Sequence, residues 1–339
     1  MNVQALMETA RAMVAPGKGI LAADESTPTI KKRFDSINVE STEDLRRRYR
    51  QMLFAAPGME DFISGVIMYE ETLFQKTDDG VAFTKMLADK GVIPGIKVDK
   101  GAKPLAGANG ETVTEGLDGL RDRLIEYREA GARFAKWRAV ITIGDGIPSG
   151  YCIHTNAHAL ARYAALCQEQ DIVPIVEPEV LMDADNSIEV CEQVTSRTLK
   201  AVFDELYAQN VLLEGIVLKP NMVISGKQCA QQAGVEEVAK RTVATLLKHV
   251  PASVPGIAFL SGGQSDELAT AHLDAMNRLG ELPWSLSFSY GRALQAPALK
   301  AWGGSVDQVE AGQQAFMHRA RCNGAASQAQ YSADMEQAA

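Results

Sequence analysis

Eight short apolar runs, each followed by a longer stretch of helical period, constrain this chain more than any other feature. The runs fall at Gly19 to Ala23, Ile63 to Tyr69, Val92 to Val98, Phe134 to Ile141, Ile172 to Val176, Gly215 to Leu218, Ile257 to Leu260 and Leu286 to Phe288. Their length and β-branched content read as strands. Between them, Thr42 to Phe54, Leu117 to Ala130, Ala157 to Gln168, Ile188 to Asn210 and Val235 to His249 repeat apolar residues at the spacing of a buried helix face. Strand then helix, eight times over, predicts an α/β fold closed into a parallel (β/α)8, or TIM, barrel. An open doubly wound sheet would want a Gly-rich turn straight after an early strand. The nearest candidate, Gly144, Gly146 and Gly150, has the wrong spacing for a dinucleotide fingerprint.

A chain of 339 residues with 46% hydrophobic content can bury a core of that size. No repeat, Pro-rich linker or charge block divides it, so a single domain over 1–339 is expected, with a loosely ordered tail over 325–339 where Ala, Ser and Gln dominate. Lys and Arg number 34 against 43 Asp and Glu, a net charge of −9, which excludes a polybasic surface for nucleic acid. Any anion site must then be a local cluster. Met1 to Arg11 lacks a long apolar run, so neither a signal peptide nor a membrane span is expected, and the cytoplasm is the expected location. The cysteines at 152, 167, 191, 229 and 322 are odd in number and form no C-x-x-C pair, which predicts reduced thiols. His154 and His158 stand at i, i+4 without the Glu of an H-E-x-x-H motif, so a solvated helix position is expected for them and no metal site.

Nearly every run ends in a polar residue, at the place where barrel enzymes assemble their chemistry. The first ends in Asp24, the third in Lys97, and the fourth carries Lys136 and Arg138 on one face. The fifth leads into Glu177 and Glu179, which share a face if extended geometry persists past Pro178. The sixth ends in Lys219, the seventh in Ser261 with Gly262 and Gly263, and the eighth runs into Ser289, Gly291 and Arg292. Singly, a lysine after a strand usually points to solvent, and Glu-Pro-Glu is often just a loop. Seven such ends from one barrel converge on a small volume, where a mixture of cations and carboxylates is the tolerable arrangement. Cations beside Gly-Gly and Ser at the ends of runs seven and eight suit a phosphorylated substrate. With no His cluster or carboxylate set at metal-ligand spacing, the electron sink for bond cleavage is organic, and lysine supplies one as an iminium with a ketone.

The segments Leu21-Ala-Ala-Asp-Glu-Ser-Thr27, Gly95-Ile-Lys-Val-Asp-Lys-Gly101, Phe134-Ala-Lys-Trp-Arg138, Val173-Pro-Ile-Val-Glu-Pro-Glu179, Leu218-Lys-Pro-Asn-Met222, Leu260-Ser-Gly-Gly-Gln-Ser265 and Phe288-Ser-Tyr-Gly-Arg-Ala293 resemble those of class I fructose-bisphosphate aldolase, from about Gly17 to Gly304. The resemblance implies reversible cleavage of fructose 1,6-bisphosphate to dihydroxyacetone phosphate and glyceraldehyde 3-phosphate, without metal or cofactor. It implies that Lys219 forms the Schiff base and Glu177 transfers protons with Glu179 beside it, while Asp24, Lys136 and Lys97 surround the imine. Lys97 and Arg138 match substrate contacts, and Ser261, Gly262, Ser289, Gly291 and Arg292 match one phosphate site. Ser26, Lys32 and Arg33 match positions toward the other phosphate. A lysine amine of ordinary pKa, about 10.4, is protonated at neutral pH, and a cation beside it, such as Lys136, favours the neutral form. The partners implied are a small sugar bisphosphate and triose phosphates, with a homotetramer implied by the resemblance alone. Sedoheptulose 1,7-bisphosphate cleavage and a non-catalytic scaffold are the alternatives. Two departures from the family pattern stand out: Pro28 and Thr29 follow the D-E-S-T block and are expected to stiffen the first loop, and the chain ends in Gln337-Ala338-Ala339 rather than Tyr.

Overall fold

A computed structural model of the chain describes residues 1–337. Eight strands close into a parallel barrel: β1 (Gly19–Ala23), β2 (Ile63–Met68), β3 (Ile93–Lys97), β4 (Phe134–Ile141), β5 (Val173–Val180), β6 (Val217–Leu218), β7 (Gly256–Phe259) and β8 (Ser285–Tyr290). Each strand pairs with the next in sequence, and β1 closes on β8 through Ile20 opposite Ser289 and Leu21 opposite Tyr290. The expected barrel is thus the observed one. β5 runs on through the Glu-Pro-Glu segment, with Pro178 opposite Ala139 of β4. β6 is shorter than expected, because Leu213–Gly215 forms a 3-10 turn, although the Lys219 amide still donates to the Val176 carbonyl at 2.8 Å.

Alternation along these strands sends one set of side chains outward, toward the helices, and the other into the barrel. The inward set, Ile20, Ala22, Ile67, Phe134, Val173, Ile175, Val217 and Ala258, packs as one apolar cluster. The Phe134 ring occupies space that side chains on β2 and β3 would otherwise claim. A Cβ on Gly95 would lie 2.2 Å from that ring and one on Gly65 2.9 Å from it. The helix Val3–Met13 closes the barrel below, its buried Leu6, Ala10 and Met13 joining the same cluster together with Val14. Asn2 caps this helix by accepting from the Ala5 amide.

The helices follow the sequence with adjusted ends. Gly150–Glu169 begins seven residues before the expected Ala157, because Ser149 caps it by accepting from the Cys152 amide at 3.1 Å. Pro28 lies in the first turn of the helix Thr27–Asp35 rather than in a loop, a place where its missing N–H costs no hydrogen bond. A two-stranded hairpin, Ala102–Pro104 with Thr112–Thr114, covers the connection after β3. None of the described helices is long and apolar enough to cross a membrane. The cysteines are all free, Cys229 partly exposed and the other four buried.

The tail corrects an expectation. Ala325 and Ala326 complete the helix Val309–Ala326, and Ala333–Gln337 forms a further turn. Between them, Tyr331 packs on the main core, its amide donating to Asp274 at 2.9 Å and its hydroxyl to Glu336 at 2.8 Å. These long-range contacts dock a segment whose composition carries no periodic signal; residues 338–339 lie outside the described ones.

If Phe134 fills the interior as described, Gly95→Ala overpacks it and lowers stability by about 1–3 kcal/mol. Gly150→Ala, at a helix start with nothing within 4 Å of the new methyl, changes stability by less than about 0.5 kcal/mol. Urea denaturation of both variants checks the contrast.

Candidate active site

Beyond the apolar layer the same inward rows turn polar. Ala22 is followed by Asp24 on β1, Phe134 by Lys136 and Arg138 on β4, Ile175 by Glu177 and Glu179 on β5, and Val217 by Lys219 after β6. Lys97 on β3 lies opposite Lys136, and Arg138 lies opposite Glu177. The barrel's alternation therefore delivers these groups to one mouth.

Four of them form a continuous chain of alternating charge. Lys136 Nζ lies 2.7 Å from Asp24 Oδ2 and 3.4 Å from Glu177 Oε2, and Lys219 Nζ lies 3.1 Å from Glu177 Oε1. Lys136, Glu177 and Lys219 are buried, each about 4% exposed or less. Burial raises the Asp24 carboxyl, but Lys136, aided by Lys219 and Lys97, outweighs it and holds the group well below the usual carboxylate range. Burial also works against the Lys136 ammonium, and Asp24, Glu177 and Asp99 more than offset that, holding it well above the ordinary lysine range.

Two further pairs flank the chain. Arg138 is bound to Glu179, which with Glu177 and Asp99 overcomes burial and keeps the guanidinium firmly charged. Lys97 donates to Asp99 Oδ1 at 2.6 Å. Asp99 is not among the residues assigned from sequence, yet it is buried, and it also accepts from the Gly101 amide at 3.1 Å and the Arg138 amide at 3.3 Å. Glu25 was missed as well. It is buried against Arg33, Arg50 and the Gln295 amide. Both stand inside blocks that carry the family resemblance, Asp99 shortly after Lys97 and Glu25 next to Asp24. An acidic residue beside an assigned charge was the available signal. What it lacked was the partner, which for Asp99 lies across a turn and on the neighbouring strand, and for Glu25 on three helices, from the next one to the one after β8.

The ends of β7 and β8 form the second part of the site. Arg292 donates to the Gln264 carbonyl, and to Asp266 at 2.9 Å, and approaches the Ser261 carbonyl at 3.5 Å. Gly291 precedes the helix Arg292–Trp302, so its neighbouring amides face the mouth of the barrel from a helix N-terminus. A Cβ on Gly262 would meet Met182 at 2.8 Å, which keeps the Ser261–Gly263 backbone close to β5's continuation. Ser289 Oγ is buried and has no hydrogen-bond partner among the described residues.

The first helix after β1, Thr27–Asp35, carries the residues matched to the other phosphate. Ser26 stands at its N-cap position without a side-chain bond to the helix backbone, its Oγ 3.1 Å from Thr29 Oγ1, and Lys32 is exposed, forming no ion pair among the described residues. Arg33, matched by resemblance to the opposite phosphate from Arg292, lines a cavity of about 510 Å³ together with Arg292. Its guanidinium would lie 3.8 Å from a Cβ on Gly291.

The sequence matches the family described as "Fructose-bisphosphate aldolase class-I" over residues 5–339. The chain belongs to the class I fructose-bisphosphate aldolase family. It is 62% identical over 327 residues to a probable fructose-bisphosphate aldolase class 1 of Xanthomonas campestris pv. campestris, covering 96% of this chain and 98% of that protein. It is 55% identical to fructose-bisphosphate aldolase 4, cytosolic, of Arabidopsis thaliana, covering 98% of this chain and 84% of the relative. Its fold superposes with a TM-score of 0.96 on a Plasmodium falciparum fructose-bisphosphate aldolase solved in complex with TRAP and a small-molecule inhibitor, at 50% identity over 97% of this chain and 95% of that one. The enzyme is a carbon–carbon lyase of glycolysis that cleaves fructose 1,6-bisphosphate reversibly through a lysine Schiff base, the chemistry general to its family.

The lowered Asp24 value makes stability depend on pH. The native state binds fewer protons than the unfolded chain, so the stabilisation is complete above about pH 4 and is lost as pH falls below it. Asp24→Asn leaves Lys136 short of one partner and costs about 3 kcal/mol near neutral pH. Urea denaturation should show that the gap from the parent protein narrows below about pH 4; a gap that stays constant on further acidification would detach Asp24 from its lysines.

Proposed function

We propose that Lys219 is the lysine that forms the Schiff base and that Glu177 carries protons to and from it. The observation behind this reading is the buried contact of 3.1 Å between Lys219 Nζ and Glu177 Oε1, with Lys136 on the other oxygen. A proton passed from Lys219 to Glu177 leaves a neutral amine without changing the net charge of the four-residue chain. The amine adds to the C2 ketone of the substrate, and Glu177 returns the proton to the departing hydroxyl as water, which generates the iminium. Glu177, again a carboxylate, takes the proton of the C4 hydroxyl. The C3–C4 bond breaks, its electrons pass into the enamine, and reprotonation with hydrolysis frees Lys219. Asp24 holds Lys136 beside the reacting centre, Glu179 holds Arg138, and Asp99 holds Lys97.

Ser261, Gly262, Ser289, Gly291 and Arg292 take one phosphate, supported by the helix N-terminus at Gly291 and the unpaired Ser289 hydroxyl. Lys97, Arg138, Ser26 and Lys32 serve the other end, and the shared cavity with Arg292 supports a place for Arg33 at the edge of both. The cytoplasm is the proposed location, supported by the word "cytosolic" in the names of the Arabidopsis relatives. A homotetramer of single-domain chains rests on sequence likeness alone.

Incubation with dihydroxyacetone phosphate and borohydride should fix a secondary amine on Lys219, located by mass mapping, and abolish turnover. Glu177→Gln should still label while turning over slowly, and activity should persist in EDTA. Labelling of Lys97 or Lys136 with Lys219 unmodified would overturn the assignment.

Arg292→Ala removes charge-assisted hydrogen bonds worth about 1.5–3 kcal/mol, so KM for the bisphosphate should rise at least about tenfold. An unchanged KM would take Arg292 out of the phosphate site.

A further inference from the structure

Away from the barrel mouth, three residues that the reaction does not use meet beneath the tail. His318 and Cys322 stand one turn apart on the helix Val309–Ala326, and Glu336 reaches them from the turn Ala333–Gln337. His318 Nε2 lies 3.3 Å from Glu336 Oε2 and 3.9 Å from Cys322 Sγ, and one donor atom from each of the three falls within 4.8 Å of the others. We propose that His318, Cys322 and Glu336 form a three-ligand site for a thiophilic divalent cation, Zn²⁺ by the chemistry of its donors, which clamps the tail to this helix.

Imidazole, thiolate and carboxylate are the ligand types Zn²⁺ takes, and bonds of about 2.0–2.3 Å in tetrahedral array set donors roughly 3–4 Å apart. The His–Glu and His–Cys separations already fall there. The carboxylate is also fixed from outside, as metal-bound carboxylates are. Arg319 donates to Glu336 Oε2, and the Tyr331 hydroxyl donates to Oε1 at 2.8 Å. Each oxygen keeps a lone pair for the cation. A cavity of about 860 Å³ lined by His318 and Glu336 provides an entry path and room for a fourth ligand such as water. The positive charges of Arg319 and Arg321 oppose a cation, and Glu267 and Glu310 on the cavity wall, with Asp266 shared with Arg292, counter them. Binding displaces the Cys322 proton, so the affinity rises with pH.

A second histidine pair must be kept out of the measurement. His154 and His158 both face Glu205, at 3.5 and 3.0 Å, on an exposed surface, and imidazoles one turn apart compete for a divalent ion added in excess. The test therefore uses the full chain carrying His154→Gln and His158→Gln, stripped of metal and titrated with ZnCl₂ by calorimetry and with CoCl₂ by absorption. One Zn²⁺ should bind per chain and raise Tm, and Co²⁺ should develop a thiolate-to-metal charge-transfer band. Cys322→Ser should abolish that band, and Cys322→Ser, His318→Gln and Glu336→Gln should each weaken Zn²⁺ binding at least tenfold. Glu336→Gln alters a tail residue and carries the test if Cys322→Ser fails to fold. No binding in the His154/His158 variant, a cobalt band that survives Cys322→Ser, or Zn²⁺ affinity unchanged by Glu336→Gln would each overturn the proposal.

Discussion

Everything at the mouth of this barrel depends on the burial of Glu177 between two lysines. A carboxylate that deep is sustainable only with compensating charge, and Lys136 and Lys219 supply it on separate oxygens. Lys136 in turn requires Asp24, and both lysines require strands held in register, since a slip of one residue would send each side chain outward into the helix layer. Such a chain of charges is a poor source of stability compared with an apolar filling of the same space. The apolar cluster below it, centred on Phe134, supplies the stability that the charged layer does not.

The sequence showed this layout to an unusual depth because barrel and site obey the same period of two. Lys136 and Arg138, or Glu177 and Glu179, are simply the next inward positions after Phe134 and Ile175. Pro178 was the residue on which that extrapolation turned, and β5 carries on through it with Pro178 on the outer face. Contacts made across the chain had no such signal. The burial of Glu25 against Arg50, the approach of Arg33 to Gly291, and the docking of Tyr331 on Asp274 join residues whose partners no periodicity announces.

Asp99 shows the boundary between the two kinds of information. It lies in a segment that carries the family resemblance, only two residues beyond Lys97, yet its work is seen only when the turn after β3 brings its carboxylate back onto the lysine and onto the Arg138 amide. Motif matching assigns the groups that touch substrate more readily than the groups that aim them.

The stopper formed by Val3–Met13 bears on how the chain is made. Its apolar face rests on residues such as Val217 and Ala258, and a Cβ on Gly256 would lie 2.5 Å from Val14. Those partners are synthesised long afterwards, in the second half of the chain. The helix is thus made well before its whole seat exists, and the cover over Leu6, Ala10 and Met13, begun by Ile20, Ala22 and Ile67, is completed only when β7 has been translated. A growing chain of this kind carries a partly covered apolar stripe until then, a surface of the sort that chaperones shield.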